Sequence, residues 1–187
     1  PVASVLRGFS APVVLAHDLS KEERLLLLAH DSDPFNRWEA GRTLARQSLL
    51  ATITEGSAPD AEWLASLQAV LGDETLEPAY RALMLGLPSH ADLANTLYDT
   101  GKTPDPAAIH EAVDATRDAL AQAFVSTLSE FYDRHIVDAA YQPNAEQSGK
   151  RALTNAALAL LTRVQGPERA QAQYDQADNM TQQLSAL

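Results

Sequence analysis

His110-Glu111-Ala112-Val113-Asp114 is the stretch whose residue types and spacing come nearest to catalysis. On a helix, residues four apart share a face, which is how an H-E-x-x-H string holds zinc with two imidazoles beside a glutamate base. Here the second ligand position is Asp114 rather than histidine. The string also follows Asp105-Pro106, so its acids fall near a helix start, where carboxylates face the positive end of the dipole. It reads as a solvated helix face, and His110, Glu111 and Asp114 are given no metal role. His17, His30, His90 and His135 are spread too widely to suggest a second ligand set. Each reads as a surface or hydrogen-bonded structural residue.

Other chemistry thins out quickly. No nucleophile elbow, P-loop or dinucleotide fingerprint occurs. The carboxylate pairs Glu22/Glu23 and Asp73/Glu74 fall at helix ends, where caps sit. Arg42 and Arg46, one turn apart, could grip a carboxylate, but neighbours such as Glu39 are expected to balance them. Trp38 and Trp63 read as core. With no cysteine, disulfides, thiolate zinc sites and cysteine nucleophiles are excluded. No catalytic, cofactor-binding or metal-binding residue is therefore assigned.

Charge narrows the partners. A net charge of −11, with only 14 scattered basic residues, argues against a nucleic-acid surface. No apolar run approaches the roughly 18 residues that cross a bilayer, so no membrane partner is expected. No signal peptide opens the chain, and a cytoplasmic location is expected.

The elements that position these residues are mostly helices. An apolar fraction of 45%, led by Ala and Leu, favours helix. Pro1–His17 differs: its β-branched residues, punctuated by Gly8, Ser10 and Pro12, predict short strands at Val2–Leu6 and Val13–Leu15. A pair of strands forms no stable sheet alone, so their partners are expected outside this chain. Ser20-Lys21-Glu22-Glu23 reads as a capping box. Asp33-Pro34 and Asp105-Pro106 read as a cap followed by proline at the first helical position. Pro59, Pro78, Pro88 and Pro167 read as further helix openings.

Apolar spacing between those marks is helical. Leu25–Leu28 suggests a short helix buried on most sides. Phe35, Trp38, Ala45, Leu49 and Ile53 form a stripe around Gly41; Trp63, Leu67 and Leu71 form another. Ile109, Val113, Leu120, Phe124, Leu128 and Phe131 line the longest helix, placed at roughly 107–135. Leu153, Ala157, Leu160, Leu161 and Val164 line a further one. The expected fold is mainly α, with antiparallel helices stacked in a superhelical arrangement and a short N-terminal β remnant.

Five strings, in order, carry a resemblance. Leu6-Arg7-Gly8-Phe9-Ser10-Ala11-Pro12-Val13 resembles the strand that closes the β-sandwich domain in the bacterial aminopeptidase N family. Asp33-Pro34-Phe35-Asn36-Arg37-Trp38-Glu39-Ala40 resembles a stretch just inside that family's C-terminal helical domain. Asp105–His110 resembles the opening of a long helix there. Lys150–Ala156 and Ala177–Thr181 match two later segments, while 57–104 diverges.

The resemblance implies a fragment of a zinc metallopeptidase that removes N-terminal residues from peptides. Residues 1–18 would be the end of the β-sandwich domain, and 19–187 the first part of the helical domain. That domain would cap the active-site chamber and limit peptide access. The family's zinc and amine-binding motifs, H-E-x-x-H and G-x-M-E-N, do not occur here, so zinc belongs to the parent and no cofactor to this fragment. The expected partners are the catalytic domain of the same polypeptide and, in the parent, peptide substrates. Exposed termini would favour self-association, and loss of residues 1–18 is expected to cost the helical part little stability. The alternative is an independent α-helical scaffold that binds a protein partner; the opening strand argues against it.

Overall fold

Ser20 begins the regular structure. Its hydroxyl accepts the Glu23 N–H while the Glu23 carboxylate accepts the Ser20 N–H, so two orphan donors at the start of a helix are satisfied reciprocally. The computed structural model describes residues 2–11, 13 and 18–187. Among the described residues, ten α-helices follow one 3-10 turn at Arg7–Phe9, and no strand occurs. The chain is mainly α, as its composition predicts.

The helices are α1 (Lys21–His30), α2 (Pro34–Glu55), α3 (Ala61–Leu71), α4 (Pro78–Met84) and α5 (His90–Asp99). They continue with α6 (Pro106–Ala123), α7 (Val125–His135), α8 (Ala145–Gln165), α9 (Glu168–Gln176) and α10 (Met180–Ser185). Pro34, Pro78 and Pro106 each stand at the first helical position, where a missing N–H costs nothing. Pro59 and Pro88 lie slightly ahead of the true caps. Asp60 accepts the Glu62 and Trp63 N–H groups, and Ser89 forms a second capping box with Asp92.

Two compact units divide the chain. The first comprises Pro1–Val70 and Leu87–Thr116, the second Leu71–Gly86 and Arg117–Leu187. In the first, α1 packs on α2, and a core joins Leu49 of α2, Leu93 and Leu97 of α5, and Ile109 and Val113 of α6. In the second, α8 packs against α4, α7 and α9. Leu153, Ala157, Leu158 and Leu161 of α8 are buried there. Gly149 permits the approach of α4: a Cβ at this position would meet both the Cβ and the N of Ala79 at 3.3 Å.

Several expectations are corrected. The strand expected at Val2–Leu6 is absent; these residues have no ladder partner among the described residues, and the Val5 carbonyl instead accepts the Asn36 side chain at 2.9 Å. Of the second expected strand, Val13 is exposed and residues 14 and 15 lie outside the described residues. In α1 only Leu28 is buried, and Leu26 is exposed. On α2 the buried residues are Ala40, Gly41, Leu44, Ala45, Ser48 and Leu49, so Phe35 and Trp38 sit at the rim rather than in the core. The long helix expected over 107–135 is two helices that break at Phe124 (φ −113, ψ 14), which leaves α2 as the longest. Its six predicted apolar residues are nonetheless all buried.

Candidate functional site

The structure disperses most of the residues with catalytic potential. His110 Nε2 lies 3.7 Å from Asp114 Oδ2 on the exposed face of α6. His90, twenty residues earlier in sequence, stacks its ring on His110 at 5.9 Å, a pairing that no spacing in the sequence announces. Zinc needs three protein ligands in reach of one point. Among the described residues no three His, Cys, Asp or Glu side chains are so gathered, and the residues present do not fit the metal.

His30 lies at the end of α1, and His17 lies outside the described residues. His135 has a structural task in the second unit. Its Nδ1 is 3.0 Å from the Phe131 carbonyl and its Nε2 3.4 Å from Arg81 Nη2. Those partners fix the tautomer: Nδ1–H donates to the carbonyl and Nε2 accepts from the guanidinium. Arg81 is buried and lies over the Phe131 ring at 5.0 Å.

The two carboxylate pairs are structural. Glu22 and Glu23 both bond Ser20, and backbone hydrogen bonding together with the Ser20 hydroxyl holds the Glu22 carboxyl below its usual range. Asp73 accepts from Thr75, while Glu74 pairs with Arg134 at 3.2 Å. Arg42 is no free carboxylate grip. It pairs with Asp92 at 2.7 Å, not with Glu39, and lies over the Trp38 ring at 5.4 Å. Hydrogen bonds from Ser89, then the charges of Arg42 and Arg46, hold Asp92 below the ordinary carboxylate range. Trp63 is buried, as expected.

The strings that carry the family resemblance are joints. Arg37 donates to the carbonyls of Leu28 and Ala29, closing the C-terminus of α1 where a cation also meets the negative end of the dipole. Asp105 caps α6. Arg151, buried on α8, bonds Gln147, Ser148 and the Gln142 carbonyl and covers the Tyr141 ring, tying the preceding loop to the helix. Asn155 accepts from Gln173, and Asn179 caps α10.

One groove of about 510 Å³ opens in the first unit, within the size range of small-ligand sites. Arg24 lines it with a buried Nε that has no hydrogen-bond partner, and Arg46 donates to Thr43 Oγ1 at 3.4 Å. Val5, Leu27 and Phe35 supply apolar wall. Such a surface can hold an anionic group but presents no nucleophile paired with a base. Its wall includes Ala11 and Val13, on either side of a position outside the described residues, and it is assigned no ligand. Sequence reasoning missed Arg24 because it directly follows a capping box, where its type and spacing say nothing of a groove.

Comparison with known proteins points in one direction. Residues 21–187 match a family described as a domain of unknown function (DUF3458_C), ARM repeats. The whole chain is 37% identical to a segment of aminopeptidase N from Caulobacter vibrioides, and 31% identical to one from Escherichia coli. Each match covers 100% of this chain and 22% of the relative. A crystal structure of Legionella pneumophila aminopeptidase A, in complex with aspartic acid, superposes with a TM-score of 0.78 at 26% identity. It covers 97% of this chain and 22% of that one. The chain thus spans about a fifth of the length of the relatives it matches.

Proposed function

The chain belongs to the DUF3458_C family of ARM-repeat domains, and from that membership we propose that it works as a non-catalytic part of a zinc-dependent aminopeptidase N. In this reading the parent removes N-terminal residues from peptides in the bacterial cytoplasm. Residues 1–18 lie at the end of its β-sandwich domain, and 19–187 begin the helical domain that caps the active-site chamber and limits which peptides enter. The observation that carries the reading is the match to aminopeptidase N across the entire chain, the resemblance strings included.

One feature of the structure supports it. Apolar side chains stand in solvent at both ends: Val13 is 58% exposed, Leu184 62% and Leu187 88%. They offer surface for packing against other parts of the parent, or for self-association when those are missing.

The test separates chain from parent. After a chelator wash, the 187-residue chain should hold far less than one zinc and leave aminoacyl substrates intact, with His110→Ala changing neither result. A longer polypeptide that contains the chain should carry both metal and activity. Stoichiometric zinc on the chain alone, lost in the His110→Ala variant, would overturn the proposal.

A further inference from the structure

Residues 4–8, ahead of α1, are built unlike a linker. A flexible connection keeps its backbone in relaxed conformations and its polar groups in water. Here Leu6 occupies the left-handed region (φ 54, ψ 34), the one non-glycine residue to do so among those described, and Gly8 follows at φ 64. A Cβ is disfavoured in that region, and such a residue persists only where its surroundings over-determine it.

The surroundings do so through residues 31–33, the link between α1 and α2. Arg7 Nη1 donates to Asp31 Oδ1 at 2.9 Å, and Nη2 to Ser32 Oγ at 2.8 Å. The Gly8 N–H donates to Asp33 Oδ2 at 2.7 Å. From the first turn of α2, Asn36 Nδ2 reaches the Val5 carbonyl and Ser4 Oγ, both at 2.9 Å. Side chains of Asp31, Ser32, Asp33 and Asn36 thus clasp residues 4–8 from one side.

The clasp is also electrostatically one-sided. The Asp31 side chain is 1% exposed, whereas Arg7 is 47% exposed. Asp31 Oδ2 is buried and has no hydrogen-bond partner. The carboxylate has therefore left water with Arg7 as its ion-pair partner, and loss of Arg7 would strand a buried charge. Asp31 binds the strap while its own backbone N–H closes α1 onto the Leu27 carbonyl.

We propose that residues 4–8 form a strap, locked by Arg7 onto the α1–α2 junction, that fixes the direction in which the chain approaches the helices. The lock is independent of the metallopeptidase reading. Where that reading holds, it makes the junction between sandwich and helical domains a rigid joint, with Arg7 as its positioning residue.

Amide exchange and limited trypsin digestion of the 187-residue chain test the lock. In the unmodified chain the Gly8 amide should exchange at least tenfold more slowly than in a free peptide, and the Arg7–Gly8 bond should resist cleavage. Asp31→Asn keeps Arg7 as a trypsin site but removes the charge it pairs with. It should speed cleavage after Arg7 at least tenfold while amides in α8 keep their protection. Were Asp31→Asn to unfold the whole chain, Arg7→Gln read by Gly8 exchange alone makes the same comparison. Free-peptide exchange at Gly8 in the unmodified chain would overturn the strap, as would a folded variant in which Gly8 exchange is unchanged.

Discussion

Asp33 accepts the Asn36 N–H at 3.0 Å through one carboxylate oxygen and the Gly8 N–H at 2.7 Å through the other. Those two donors, Asn36 first, hold its carboxyl below the ordinary range despite its burial. Replacing Asp33 with Ala should cost about 2 kcal/mol at neutral pH, from a lost cap and a lost charge-assisted bond. Because the folded-state value is the lower one, this contribution is complete above the unfolded value of about 3.9 and fades as pH falls through the folded value. Denaturant midpoints measured at pH 7 and well below about pH 3.9 should show the gap between variant and parent closing only in acid. A gap that stays constant would contradict the assignment. The capping half of this role is legible in the sequence, since Asp-Pro is a local signal. The bond to Gly8 spans 25 positions in sequence and leaves no local mark. Arg42 teaches the same lesson: its nearby candidate partner is Glu39, but the carboxylate it pairs with is Asp92, 50 positions away.

At the scale of elements, periodicity locates the faces better than the breaks. All six apolar residues expected on the long helix are buried, yet the helix divides at Phe124, where neither proline nor glycine stands to signal it. The unbroken run Leu25–Leu28 suggests burial on most sides, but a run of like residues has no period and cannot say which face turns inward. A close approach of two helices occurs at Gly149, against Ala79 of α4. There a larger side chain must push one helix from the other. Gly149→Val should destabilise the chain by about 1–3 kcal/mol through overpacking, as read by thermal or denaturant unfolding. Parental stability in that variant would show that α4 can move aside freely.

For the whole molecule, the mainly helical fold and the family are legible in the sequence, while the tasks of the matching strings are not. Arg7, Asp33, Asn36, Arg37 and Arg151 all stand in the strings that carry the resemblance, and each ties one segment of the chain to another. Only the folded chain reveals that, because every one of these bonds joins a side chain to a partner set by packing. Loss of residues 1–18, expected from sequence to cost the helices little, would uncover Asp31 and remove the Gly8 donor to Asp33. In the proposed function this helical region limits access to a catalytic chamber formed elsewhere in the parent. The most direct measurement compares the full polypeptide with one lacking the region corresponding to 21–187. Both should be assayed on peptides of increasing length and on a folded protein with a free N-terminus. The account predicts that the shortened enzyme retains its zinc and its activity on short peptides but now also trims the folded protein. An unchanged length profile in a shortened enzyme that keeps zinc and short-peptide activity would contradict it.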